Sequence, residues 1–165
     1  MSGGEDEPNR FDPARAFKIM AQFGHSGALG LVYHDHGEDW AALRLPWRPE
    51  IAGDAAAQTA AGGAIVALFD MAAGLAVWTK LTQFRPQVTL DLRVDHIRPP
   101  SPASDVIARV ECYRVAREIA FVRGEAFDRE GGDPVASMAA TFMFIGDPIP
   151  FTRTPPPPAA AEARA

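Results

Sequence analysis

A single carboxylate in an apolar stretch is the first place in this chain where chemistry is expected. Between Ala60 and Thr79 one charged side chain, Asp70, stands among alanines, glycines and large apolar residues. A helix with no polar face must be surrounded by protein or lie in a membrane. A carboxylate at membrane depth costs several kcal/mol, so the stretch reads as the buried central helix of a soluble domain. A buried aspartate needs partners or a purpose. The purposes open to it are general-base or nucleophilic work, and the plain alternative is a cap or ion pair at a subunit contact. Gly62 and Gly63 open the same stretch. Their missing side chains allow close backbone approach and leave helix N-terminal amide donors unobstructed.

The other chemistry-bearing residues are more scattered. His34 and His36 have strand spacing, but a zinc site needs a third or fourth ligand. His25 and His96 are the candidates, and no spacing joins them to the pair. The composition around His34 is that of a solvated turn, so no metal is expected. His96 shares an alternating face with Leu92 and Val94 and reads as a partly buried histidine. Cys112 is the only cysteine, which excludes an internal disulfide and a thiolate-rich metal site. It reads as a small hydrophobe within a strand.

These residues need elements to position them. The 165 residues are 47% hydrophobic and 22% charged, which suits one globular domain. The net charge of −5 gives no global attraction to nucleic acid or an anionic membrane, and neither partner is expected. The N-terminus lacks a secretory pattern, which favours a cytoplasmic location. Residues 1–12 are expected to be disordered, 13–147 to form the domain, and 148–165 to be a disordered Pro/Ala-rich tail. Asp12-Pro13 is an N-cap and first-turn pair for a short helix from Ala14 to Phe23, ended by Gly24. Leu29–Tyr33 and Trp40–Leu45 read as a hairpin linked by the turn-rich 34–39 stretch. After the central helix come strand candidates Val88–Arg98, Val106–Arg117, Ile119–Asp128 and Val135–Ile145. Leu90, Leu92 and Val94 alternate with Asp91, Arg93 and Asp95 in the first of these. The junction at Arg117-Glu118 allows two strands or one long bent strand. A sheet of five or six antiparallel strands wrapping the central helix makes an α+β domain. Pairing its edge strands across a two-fold axis would protect them.

This layout, with two local motifs, resembles the hotdog-fold acyl-CoA thioesterases of the phenylacetate-pathway (PaaI-like) branch. Those proteins typically read His-Gly-Gly, then Leu-x-Asp, then a small-residue helix. Here the residues are Ala61-Gly62-Gly63, then Leu68-Phe69-Asp70, then Ala72, Ala73, Gly74 and Ala76. The family's next strand has the character Thr-x-Asp-Leu-x-Val-x-aromatic-Leu-Arg-Pro. The counterpart here is Thr89-Leu90-Asp91-Leu92-Arg93-Val94-Asp95-His96-Ile97-Arg98-Pro99. The likeness runs from about Gly27 to Ile145. The departure is specific: Ala61 stands where the family has histidine, and Ala55, Ala56 and Ala57 offer no match for an upstream asparagine.

The resemblance implies hydrolysis of an acyl-CoA thioester at a site shared by two subunits. Asp70 would be general base or nucleophile, and the Gly62 amide, with help from Gly63, would polarise the carbonyl. Thr79, Thr82 and Gln83 are candidates to line the acyl or water region, and Arg98 to meet a phosphate of coenzyme A. No cofactor is required beyond the coenzyme A carried by the substrate. The assembly implied is a homodimer, with a homotetramer built as a dimer of dimers as its extension. A non-catalytic acyl-CoA or acyl-carrier binding protein is the alternative that Ala61 supports. A hotdog dehydratase would need a histidine paired with the acid, for which His96 is the one candidate.

Overall fold

The computed structural model describes residues 11–149, so the expectations for residues 1–10 and 150–165 lie outside the described residues. The chain begins with helix α1 (Pro13–Met20) and helix α2 (Gly24–Leu29). Strands β1 (Val32–His36) and β2 (Trp40–Leu45) follow, then a short pair, β3 (Ala52–Asp54) and β4 (Thr59–Ala60). The core helix α3 (Gly62–Leu81) comes next, followed by β5 (Gln87–His96), β6 (Val106–Ala116), β7 (Ile119–Phe127) and β8 (Ala136–Phe144). Six strands form one antiparallel sheet in the order β1-β2-β6-β7-β8-β5. The sheet wraps α3, which is the expected hotdog arrangement.

The inner face of the sheet explains how close the helix can sit. Ala41, Leu43 and Leu45 of β2, Val106, Ala108, Val110 and Cys112 of β6, and Ala120 and Val122 of β7 are all buried. Their small side chains meet the small residues Ala72, Ala73, Gly74 and Ala76 of α3, which are also buried. Leu68, Phe69, Leu75 and Val77 fill the remaining space at 0% exposure. Each stabilises the fold by about 1.5–3 kcal/mol through burial. The helix is long and apolar enough to cross a membrane, but most of it is enclosed by the sheet. One stripe is left open on this chain: Gly63 is exposed, and Val66, Ala67 and Asp70 are half-buried.

Local chemistry accounts for the elements that differ from expectation. Asp12 does cap α1, its Oδ1 accepting the amides of Ala14 and Arg15 at 3.0 and 3.1 Å. Phe11 beside it is buried, within the segment expected to be disordered. The helix stops at Met20 rather than Phe23, and residues 24–29, expected to run into a strand at Leu29, form α2. Gly30 closes α2 in the left-handed region, at φ 65°, so β1 starts only at Val32. His34 and His36 therefore lie in β1 and not in the turn, which shrinks to Gly37–Asp39. Arg117 has φ 54° and makes a tight turn, so β6 and β7 are two strands.

The start of α3 is fixed by a close backbone approach, though not at the glycine pair. A Cβ on Gly53 of β3 would lie 2.8 Å from the Ala61 Cα, so only glycine lets β3 pass there. The Ala61 amide donates to the Ile51 carbonyl at 2.8 Å.

At the other end of β5 an ion pair locks the connection to β6. Arg98 donates to both carboxylate oxygens of Asp128, at 2.9 and 2.7 Å, and to the Asp133 carbonyl at 2.6 Å. The amide and hydroxyl of Ser101 donate to the same carboxylate at 2.7 and 2.8 Å. The Asp128 side chain is 1% exposed. Arg98, opposed by burial and assisted by Ser101, holds its carboxyl far below the usual carboxylate range. A carboxylate with a depressed folded pKa contributes stability that is present above its unfolded pKa of about 3.9 and is lost as pH falls. Asp128→Asn is therefore expected to lower Tm by about 5–10 °C at pH 7. The gap from wild type should narrow below about pH 4 as the unfolded carboxylate takes up its proton. Thermal unfolding followed by circular dichroism across that range checks both.

Candidate functional site

Asp70 lies on the open stripe of α3, facing β5. The Thr89 hydroxyl donates to Asp70 Oδ1 at 2.8 Å. Oδ2 takes no hydrogen bond from any described residue. One helical turn further on, Gln87 Nε2 donates to the Gly74 carbonyl at 2.9 Å. Two polar side chains of β5 thus tie the strand to the helix, one at the carboxylate and one a turn beyond it. The pairing fixes the Asp70 rotamer and presents one oxygen outward.

The strand register explains how Thr89 arrives there. Leu92, Val94 and His96 pair with Ala140, Met138 and Ala136, and Thr89 pairs with Phe142. A bulge between Thr89 and Asp91 shifts the register, leaving Leu90 unpaired and 53% exposed. Strict alternation would put Leu90 inside and Thr89 outside. The bulge reverses both, so sequence reasoning missed Thr89 and, with it, Gln87. The available signal was a pair of polar residues two apart, ahead of an alternating strand.

The N-terminus of α3 carries the second group of donors. Ala61 occupies the N-cap at φ −60° and ψ 139°, and no side chain caps the helix. Neither the Gly62 nor the Gly63 amide donates to a described acceptor. Such free amides, at the positive end of a twenty-residue helix, attract an anion or a polarised carbonyl oxygen. Gly63 has nothing within 4 Å of its missing side chain, whereas Gly62 faces the ring of His96 at 3.4 Å. Asp70 is eight residues beyond Gly62 on the same helix, about 12 Å along its axis. One reacting carbonyl cannot touch both groups of a single chain.

The remaining candidates fall elsewhere. Thr79 is buried, and its hydroxyl donates to the Leu75 carbonyl at 2.8 Å. It lies nine residues past Asp70, about 14 Å along the axis. Thr82 is the left-handed C-cap of α3, and Gln83 follows it as an exposed residue. None of the three is brought to Asp70. Arg98 has its guanidinium turned onto Asp128 and the Asp133 carbonyl, which makes it a structural clamp. Trp78 packs against Phe84, with ring centroids 4.7 Å apart and planes tilted by 43°, and donates to the Arg85 carbonyl at 2.7 Å, which is core packing. His36 is hydrogen-bonded through Nδ1 to the Tyr33 hydroxyl. Burial pushes the Cys112 thiol up to about 11, which keeps it protonated and inert.

The sequence profile of the thioesterase superfamily matches residues 57–135, a span holding Gly62, Asp70, Thr89 and His96. A Pseudomonas aeruginosa protein of known structure is 34% identical, with a TM-score of 0.73, over 81% of this chain and all of that one. The phenylacetic acid degradation protein PaaI of Thermus thermophilus, solved as a point mutant, is 30% identical, with a TM-score of 0.62. That match covers 72% of this chain and 96% of the other. A thioesterase of Haemophilus influenzae shares the fold at 21% identity and a TM-score of 0.73, over 84% of this chain and 94% of that one. Among curated proteins none matches. On sequence and fold together, the chain belongs to the thioesterase superfamily, as a PaaI-like hotdog protein.

Proposed function

We propose that the protein hydrolyses acyl-CoA thioesters at sites built between two copies of the chain. The observation that carries this reading is the Asp70 carboxylate, held by Thr89 through Oδ1 with Oδ2 free, on the open stripe of the core helix. Family membership supports thioester chemistry, and the carboxylate is the group that can activate water there. In the proposed reaction Oδ2 of Asp70 takes a proton from water, or attacks the carbonyl itself. The Gly62 amide of the opposite chain stabilises the negative charge that develops on the carbonyl oxygen.

Two observations support a two-chain site. The first is the 12 Å offset between Gly62 and Asp70, which a two-fold axis beside the helix would cancel. The second is β5 itself: it is an edge strand of the sheet and exposes Val88 (40%) and Leu90 (53%). An apolar unpaired edge of that length invites pairing with a second copy. The assembly proposed is a homodimer, able to pair again into a tetramer. No cofactor takes part, and coenzyme A enters as part of the substrate.

The alternative is an acyl-CoA binding protein that does not cleave its ligand, favoured by the uncapped Ala61, which offers no side chain to the reacting centre. Release of free thiol from short, long and aromatic acyl-CoAs separates the two. Asp70→Asn is expected to lower kcat by about 10²–10⁴, the range for a lost general base. Thr89→Val should lower kcat by about tenfold with KM little changed, because the carboxylate is less well oriented. If wild type binds acyl-CoA but turns none over, the binding reading stands instead.

A further inference from the structure

His96 is a histidine for which the fold has no structural use. It sits at the end of β5, on the inward-facing register, opposite Ala136. Its ring makes no hydrogen bond with any described residue. Outside the helix's own backbone and neighbouring residues, its Cε1 and Nε2 are the only atoms of the described residues within 4 Å of the missing Gly62 side chain, both at 3.4 Å. The edge of the imidazole that carries Nε2 therefore lies against the open side of Gly62, the first residue of α3. The imidazole reaches this place from the strand, while the N-cap of α3, Ala61, supplies no polar side chain.

We propose that His96 is a further catalytic residue, its Nε2–H donating to the thioester carbonyl oxygen alongside the Gly62 amide. The inference rests on the thioester-hydrolysis reading and gives that site its second donor. Water adds to the carbonyl carbon while Asp70 takes its proton, and the carbonyl electron pair moves onto the oxygen that His96 and Gly62 hold. Collapse of this intermediate breaks the carbon–sulfur bond. The coenzyme A thiolate leaves and takes up the proton from Asp70, so the products are the free acid and the free thiol. A neutral imidazole with its proton on Nε2 suffices, and no proton passes through His96.

The test is steady-state thiol release by His96→Leu and His96→Gln, beside wild type and Asp70→Asn, with Tm measured for each. Removing one such donor lowers kcat by about 10²–10³. The expected result is that loss in His96→Leu, with KM within about threefold and Tm unchanged because the side chain is exposed. His96→Gln, whose amide carries an N–H at similar reach, should recover at least tenfold of it. His96→Leu at wild-type kcat overturns the inference, as does a Gln variant no better than Leu. If Asp70→Asn is inactive in those same assays, the hydrolase reading survives that failure. A wild type without turnover on any acyl-CoA overturns both.

Discussion

A twenty-residue helix that is apolar around nearly its whole circumference has to be enclosed, and one six-stranded sheet leaves a stripe of it open. The rest of the molecule follows from that mismatch. The sheet curls so that β2, β6 and β7 cover most of the helix, and small residues on both surfaces bring them into contact. What is left is the line through Gly63, Val66, Ala67 and Asp70, bordered by the unpaired edge of β5. Polar groups that would be costly in the interior are tolerable there, because the chain itself leaves the line open. The one charged side chain in the body of the helix lies on this line.

The two ends of the first and third helices show how differently the chain treats its helix N-termini. Asp12 caps α1 with two amide hydrogen bonds. Substituting such a cap by alanine typically costs about 1 kcal/mol. The start of α3 has alanine at the same position and two free glycine amides behind it. Gly53 packs on Ala61 and holds this end in place without a side-chain cap. A structural helix is finished by its own sequence, whereas this one keeps two free amide donors, with the His96 ring beside the first of the two glycines.

Most of the fold was legible in the sequence because period and turn chemistry speak for themselves there. The apolar stretch around Asp70, the Asp12-Pro13 cap and the strand candidates Val106–Arg117, Ile119–Asp128 and Val135–Ile145 each lead to an observed element. The failures are local and physical. Gly30 ends a short helix that occupies the expected start of β1. A bulge at Leu90 turns Thr89 toward Asp70, and strict alternation cannot reveal a bulge. Arg98 was expected to meet a phosphate of coenzyme A, but its guanidinium is taken by Asp128, thirty residues away in sequence, a pairing that only the fold creates. The position of Asp70 was visible; the groups that orient it were not.

The central claim is that Asp70 of one chain works opposite Gly62 of another, and complementation between two inactive variants tests it most directly. Gly62→Pro deletes the amide donor yet suits the first helical position, and Ala61 at φ −60° and ψ 139° already has the backbone that a following proline prefers. Asp70→Asn deletes the base. Each variant alone should be inactive. Mixed in equal amounts and allowed to exchange, they form mixed dimers in which one of two sites has both groups intact. The account predicts recovery to about a quarter of wild-type thiol release, since half the dimers are mixed and half their sites are whole. Mixtures as inactive as their parents, with exchange verified by tagged subunits, would contradict it.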